Sequence, residues 1–427
     1  MTATEVTARR SRRAWRLSLA GTLVSALGTG LTMPFLLVYL HGARHVPLAV
    51  AGVVVAISAV VGMAATAVGG PFGDRFGLGR MLVAGLAAQA IGTAMLALGG
   101  DVLEAAAAVA VIAAGNGIAW PALNGLIAGQ VPLAEQPRAF ALRFGVMNAG
   151  IGIGGLASGW IVTLDDPASF QLVYAIDATT TAIFALLVVL GMRGTPGYRP
   201  DPDRERHHAS REPHERGYRA VLTDRAFTGY LLLVLGICVF GYAQLDGPWA
   251  AFATLEGHAT PRVVGIAFAV NTAVIVLAQL PVVRLTRHWR RTRLLALTAA
   301  LWSVSWVATG LAVLPALQGL AADVVLVVAL AIFGLGETFF SPVSGAMPNV
   351  LAPPHLRGRY NALASSTFPL GNLIGPLMAG VLLGGPAPIS WVVLIVIGTA
   401  LAALGALRLG RILPAHAERA PVEQSAG

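Results

Sequence analysis

The stretch 47–80, PLAVAGVVVAISAVVGMAATAVGGPFGDRFGLGR, shows the pattern that decides the fold. An apolar run over 47–69 carries no charged residue, and a short polar turn at Asp74 and Arg75 separates it from the next run, which begins at Met81. A bilayer core about 30 Å thick takes about 20 residues of helix. Lipid cannot satisfy open backbone groups, and a run this long and this rich in Ala and Val is not a barrel strand. We therefore predict a membrane-spanning helix.

Apolar runs of this kind recur along the whole chain. Hydrophobic residues make up 56% of the 427 residues and charged residues 11%, whereas a soluble domain carries about 25% charged residues. This composition excludes a soluble enzyme of two or three domains. Twelve apolar segments, numbered in chain order, cover residues 16–40, 47–69, 81–99, 103–127, 139–163, 170–192, 226–250, 262–283, 294–318, 324–348, 361–384 and 390–409. We predict an all-α membrane protein with twelve transmembrane helices.

The positions of the arginines predict the orientation in the membrane. All 29 basic residues are arginines, and with both ends inside, every one except Arg44 and Arg262 falls on the cytoplasmic side, as the positive-inside rule requires. The Arg-only, Ala- and Gly-rich composition indicates a GC-rich bacterial genome, so we expect a bacterial inner (plasma) membrane with both termini cytoplasmic. The arginines form short clusters rather than one stripe, which argues against a nucleic-acid partner.

One long polar segment divides the chain. Residues 193–225 are rich in Arg, Pro, His and acidic side chains, a composition typical of a solvated linker. The histidines there could alternatively bind a metal, but they lack spaced ligands on a rigid frame, so we predict no metal and no cofactor. The predicted organisation is a cytoplasmic segment 1–15, a six-helix bundle 16–192, the linker 193–225, a second six-helix bundle 226–409 and a cytoplasmic tail 410–427.

The two halves repeat each other. A shift of 221 residues aligns Gly and Pro residues without a gap. The aligned pairs are Gly115 and Gly336, Pro121 and Pro342, Pro132 and Pro353, Gly150 and Gly371, Gly154 and Gly375, and Gly159 and Gly380. Two pseudo-symmetric six-helix bundles joined by a polar linker are the layout of a transporter that rocks its halves about a central site.

The turn after segment two carries a family resemblance. The run 70–80, GPFGDRFGLGR, closely resembles the loop signature of the major facilitator superfamily, although Leu78 and Gly79 replace two of its three usual basic residues. The resemblance implies the major facilitator fold and a conformational latch, in which Asp74 accepts hydrogen bonds at the start of helix eleven near Tyr360. The alternative is a solvated turn. The predicted latch residues are Gly70, Asp74, Arg75, Gly77 and Arg80.

Two further motifs place the chain near the drug:proton antiporters of this superfamily. Gly150 and Gly154 in segment five resemble the antiporter signature, and a fuller form stands in segment eleven as Gly371, Gly375 and Pro376. Small residues every four positions let helices approach closely, so these are predicted hinge positions or plain packing positions. The Arg that such antiporters usually carry four residues before a Gly in helix four is absent, because Val111 holds that position. The stretches 28–35, 336–337 and 357–360 nonetheless resemble the multidrug-resistance branch.

Two carboxylates lie inside predicted helices. Ionisable groups at membrane depth are costly and are functional candidates by default. Glu337 lies about 13 residues into segment ten, near the midplane, and its repeat mate is Asn116 in segment four. Asp177 lies in segment six. Either carboxylate could couple transport to protons, and either could instead serve as a structural hydrogen-bond partner.

The remaining candidates would line a central cavity. An apolar, aromatic cavity with few polar groups suits bulky amphipathic or cationic compounds better than sugars. The candidates are Phe35, Tyr39, Asn116, Trp120, Arg143, Asn148, Tyr242, Gln244, Asn271 and Phe340. No nucleotide-binding loop or catalytic triad is present in the sequence, so we expect neither an ATP-driven pump nor an enzyme.

These features together predict a secondary active transporter that acts as a monomer. We expect proton-coupled efflux of small hydrophobic or amphipathic compounds by alternating access, with a small-molecule substrate, protons and the lipid bilayer as partners. One alternative is proton-coupled uptake of a polar nutrient. A non-transporting membrane receptor or scaffold is an alternative from a different class.

Overall fold

The computed structural model describes residues 3–132, 135–193, 195, 198–199, 218–245, 247–353 and 356–418. Within these ranges, the side chains of 3–12, 70–71, 74, 137, 218 and 415–416 are outside the description. The described part is helical without a strand, and it contains twelve helices long and apolar enough to cross a membrane. The prediction of an all-α membrane protein is therefore confirmed.

Six of the twelve helices lie in the N-terminal half of the chain. Helix α1 (Ala3–Thr32) continues past its last α-helical residue through Met33–Phe35, Leu36–Val38 and a π-helical turn at Tyr39–Ala43. The six helices are α1 (Ala3–Thr32), α2 (Leu48–Phe76), α3 (Leu78–Leu98), α4 (Val102–Gln130), α5 (Gln136–Ile161) and α6 (Pro167–Met192).

The other six helices follow the short helix Tyr218–Leu222. Helix α7 (Arg225–Ile237) continues through a π-helical turn at Cys238–Tyr242 and as Ala243–Leu245, and it is followed by Gly247–Leu255. The six are α7 (Arg225–Ile237), α8 (Pro261–Thr286), α9 (Arg291–Leu311), α10 (Leu320–Leu351), α11 (Arg357–Ser365 and Thr367–Leu383) and α12 (Ile389–Leu409). A last short helix, Ala415–Glu418, comes after α12.

The chain divides into two units, Met1–Pro213 with α1–α6 and His214–Gly427 with α7–α12. The boundary falls within the predicted linker 193–225, most of which lies outside the described residues, as do its histidines. In the first unit, α1 packs on α5 and α6, α4 on α2 and α3, and α3 on α6. In the second, α7 packs on α11 and α12, α10 on α8 and α9, and α9 on α12. Each pairing recurs six helices later, so the two bundles share one internal arrangement.

Small residues allow the close packing inside each bundle. A Cβ added at Gly150 would lie 2.7 Å from the Cβ of Ala26, and one at Gly154 would overlap the carbonyl of Leu27, both on α1. In the second unit, a Cβ added at Gly371 would lie 2.8 Å from the Cβ of Cys238 on α7. Helices α5 and α11 thus approach α1 and α7 at equivalent positions, as close backbone contact between membrane helices requires.

Candidate functional site

A polar and aromatic face on α4 forms the core of the candidate site in the N-terminal unit. Asn116, Trp120 and Asn124 are spaced four residues apart and therefore share one face of the helix. Arg143 on α5 donates from Nη1 to the Oδ1 of Asn124 at 2.7 Å, and its guanidinium lies 4.5 Å from the centroid of the Trp120 ring. Arg143 is only 6% exposed, so its charge stays between the two helices instead of extending to the end of α5.

A cavity of about 500 Å³ opens beside this pair. Arg143 and Asn124 supply its polar groups, and rings and a thioether supply most of the rest. The main lining residues are Trp120, Asn124, Phe140, Arg143, Phe144 and Met147. Sequence reasoning found Trp120 and Arg143 but missed Asn124 and Phe144. The four-residue spacing from Trp120 to Asn124 was the available signal, whereas nothing in the sequence singles out Phe144 from other aromatic residues.

Asn116 and Asn148, the other candidates on these helices, differ in their surroundings. Asn116 is exposed on the same face of α4 as Trp120. Asn148 is half-buried on α5 and donates from Nδ2 to the carbonyl of Phe144 at 2.9 Å. Asn116 is therefore open to a ligand, and Asn148 is one helical turn from the cavity.

Tyr242 is the centre of an aromatic cluster in the C-terminal unit. Its ring centroid lies 4.9 Å from Trp302, 5.5 Å from Phe340 and 5.2 Å from Phe368. It ends the π-helical turn of α7, a feature that often marks functional sites. Trp302 on α9 was not among the cavity residues predicted from the sequence.

Glu337 lies in the middle of α10, on the face that this aromatic cluster covers. It follows Phe333 by four residues and precedes Phe340 by three, so the three side chains share one side of the helix. Phe333 and Phe340 lie 6.2 Å and 5.5 Å from the ring of Tyr242. Glu337 is half-buried. A carboxyl group among aromatic rings can bind and release a proton at membrane depth, and this role for Glu337 stays a prediction.

Two polar candidates of the C-terminal unit are engaged in packing. Gln244 is fully buried, accepts from the Trp391 indole at 2.9 Å and donates to the carbonyl of Val239 at 2.8 Å. Asn271 is buried on α8 and donates to the carbonyl of Leu330 on α10 at 3.0 Å. Both amides link helices, and a substrate contact for either stays a prediction.

Phe35 and Tyr39 at the end of α1 are likewise buried. Both pack on Phe170 of α6, with ring centroids at 6.5 Å and 5.3 Å. The Tyr39 hydroxyl donates to the carbonyl of Leu96 at 3.0 Å and accepts from Arg44 at 2.8 Å. These contacts tie α1 to its neighbours α3 and α6.

Asp177 is buried where α6 meets α1. The Thr32 hydroxyl donates to one of its oxygens at 2.8 Å. A Cβ added at Gly28 would lie 2.6 Å from its other oxygen, so Gly28 lets α1 reach this carboxylate. Among the described residues no cation forms an ion pair with Asp177. Both the structural and the proton-coupling interpretation remain open for it.

The loop between α2 and α3 is shorter than the sequence indicated. Helix α2 continues to Phe76 rather than ending near 69, and it stops at Gly77, whose positive φ of 93° favours glycine. Arg75 is exposed and lies 5.4 Å from the ring centroid of Phe76. The side chain of Asp74 lies outside the description, so its predicted latch contact stays a prediction.

Tyr198 explains why this loop departs from the family signature. A Cβ at Gly79 would overlap the Tyr198 ring, and Leu78 packs against the core cluster that contains Tyr198. Both positions thus face packed side chains, where an arginine would bury its charge. Arg80 points away and is exposed.

The helical architecture and this loop agree with a comparison against known families. The Major Facilitator Superfamily matches residues 18–252 and 246–426, nearly the whole chain. The chain belongs to the Major Facilitator Superfamily. It is therefore a multi-pass membrane protein and a transporter, which confirms the resemblance seen in the sequence.

Relatives of this chain are named for several transport activities, and a solved structure shares its fold. The multidrug resistance protein MdtH of Aeromonas hydrophila is 25% identical over 91% of this chain and 94% of its own length. The Na(+), Li(+), K(+)/H(+) antiporter of Planococcus maritimus is 24% identical over 86% and 88%. The crystal structure of a mutant peptide transporter POT in complex with alafosfalin matches with a TM-score of 0.75 at 14% identity, covering 97% of this chain and 100% of the other. At that identity the likeness concerns the fold alone.

Proposed function

We propose that this transporter exports small hydrophobic or amphipathic compounds in exchange for protons, by alternating access. The observation that carries the proposal is the position of Glu337, a half-buried carboxylate in the middle of α10 on the face that meets the Tyr242 cluster. Its repeat mate Asn116 cannot titrate. Because Glu337 is the one member of this repeat pair that titrates, the release of substrate can follow the binding of a proton to its carboxylate.

The relatives support export and proton exchange. One is named a multidrug resistance protein and another a cation/proton antiporter. The aromatic lining of the α4–α5 cavity and the aromatic cluster around Tyr242 each fit apolar compounds better than sugars. We place the protein in a bacterial inner membrane with both termini cytoplasmic, since the positive-inside rule assigns nearly all arginines to that side.

Two further elements belong to the proposed cycle. The glycines of α5 and α11, with Pro376, serve as hinge positions at which the bundles flex. Asp74 serves as a latch that accepts backbone hydrogen bonds when the cytoplasmic side is closed, a contact that stabilises this state by roughly 0.3–1 kcal/mol.

Growth of cells that express the protein distinguishes export from uptake. We expect expression to raise the inhibitory concentration of several lipophilic toxicants several-fold over an empty-vector control. The Glu337→Gln variant, expressed at the same level, serves as the matched control and gives no protection. Sensitisation instead of protection would indicate uptake and contradict the proposal.

A further inference from the structure

We propose that the cavity between α4 and α5 binds the anionic group of an amphipathic aromatic substrate, with Arg143 as the anion ligand. This inference deepens the proposed export function and rests on it. It also changes the expected charge of the substrate, since the aromatic lining by itself favours cations. Three observations carry it: a buried cation without a counter-charge, an unsatisfied donor on that cation, and exposed aromatic rings beside it.

Arg143 has no acidic partner in the part of the chain that the structure describes. Helix α5 contains no Asp or Glu, and the only one on α4 is Glu104 in its first turn. Glu104 is 20 residues before Asn124, about 30 Å along the helix. Among the described residues no carboxylate pairs with Arg143, whose guanidinium contacts a neutral amide oxygen of Asn124 and the ring of Trp120. A guanidinium keeps its charge in proteins, so this cation lacks the partner that a buried charge requires.

The hydrogen bonds of Arg143 leave room for an acceptor. Its Nε is buried and has no hydrogen-bond partner among the described residues, while Nη1 is taken by Asn124. Guanidinium groups bind carboxylates and other planar anions through two parallel hydrogen bonds. Asn124 fixes one end of the group, and the unpartnered Nε leaves hydrogen-bonding capacity that such an anion can use.

The rings beside Arg143 fit the apolar part of the same substrate. Trp120 is 46% exposed and Phe144 48% exposed, and both line the cavity. The α4 face that carries Trp120 also carries Asn116 and Asn124, so it is not a lipid-facing surface, which would be apolar. A flat ring against Trp120 with its acidic group at Arg143 would satisfy both parts of the cavity.

The charge also agrees with the direction of export. A membrane potential that is negative inside drives an anion outward. A proton moving inward in exchange adds to this driving force. An anionic substrate would therefore be exported more readily than a cation of the same shape.

Binding of three isosteric probes to the purified full-length protein tests the inference. The probes are naphthalene-2-carboxylate, naphthalene-2-carboxamide and 2-naphthylmethylammonium, measured by titration calorimetry in detergent. We expect the carboxylate to bind about 10- to 100-fold more tightly than the carboxamide, as for hydrogen bonds to charged groups. If the wild-type protein binds the carboxylate and the carboxamide equally, or binds the ammonium most tightly, this result alone overturns the proposal.

Variants then assign the preference to Arg143. Arg143→Gln is expected to abolish the preference for the carboxylate over the carboxamide. Asn124→Ala, a milder change, is expected to reduce it several-fold, because Arg143 loses its positioning partner. Arg138→Gln removes an exposed arginine of the same helix and serves as the matched control. An unchanged carboxylate preference in either Arg143→Gln or Asn124→Ala would contradict the role of Arg143 as the anion ligand. If Arg143→Gln does not fold, Asn124→Ala still tests this role.

The two proposals fail in distinguishable ways. If export is not coupled to protons, naphthalene-2-carboxylate binding and its dependence on Arg143 persist, but transport is independent of a pH gradient. If the anion site is wrong, the carboxylate preference is absent in the wild type or survives Arg143→Gln, while pH-dependent export of the compounds that the cells are protected against persists.

Discussion

At the scale of single residues, several buried polar groups in this protein are satisfied by neighbours on other helices. Asp177 accepts from Thr32 across the α1–α6 contact, and Gln244 and Asn271 link helices within the second bundle. Lipid offers no alternative partner, so each of these groups depends on the packing around it. The sequence shows that such residues lie at membrane depth, but not which way they point.

Removal of the Asp177 acceptor should weaken the α1–α6 contact. Asp177→Ala leaves the Thr32 hydroxyl without this acceptor, and we expect a loss of about 1–3 kcal/mol in the free energy of unfolding. Asp177→Asn retains an acceptor oxygen and should lose less. Thermal unfolding in detergent measures both, and a wild-type transition temperature for Asp177→Ala would contradict a structural role.

At the scale of elements, the α2–α3 loop and the distant residue Tyr198 are adapted to each other. Leu78 and Gly79 looked like losses from the family signature, whereas the structure shows that Tyr198 occupies the space in front of Gly79. No sequence pattern connects residues separated by all of α3–α6. The α2–α3 loop was therefore predictable in type, but its specific residues were not.

An arginine restored at position 79 should clash with Tyr198. Gly79→Arg is expected to lower stability, and Tyr198→Ala to reduce that loss in the double variant. A double-mutant cycle on the free energies of unfolding should give a coupling of about 0.5–3 kcal/mol. Strict additivity of the two changes would show that the side chains do not meet.

At the scale of the whole molecule, composition and repetition predicted most of the fold. Twelve apolar segments became twelve helices, and the shift of 221 residues corresponds to the same helix pairing in both units. The candidate site was less predictable. Arg143 was found as a charge inside a helix, but its contacts with Asn124 and Trp120 depend on how α4 and α5 rotate against each other, which periodicity does not specify.

We propose that protons drive export through Glu337. Purified protein in liposomes, with an imposed pH gradient and a compound that the cells are protected against, tests it most directly. The wild type should accumulate the compound against its concentration gradient, and Asp177→Asn should do the same. Glu337→Gln, fixed in the neutral form, should still exchange the compound across the membrane but should not accumulate it. Accumulation by Glu337→Gln at the wild-type rate, with unchanged pH dependence, would contradict the account.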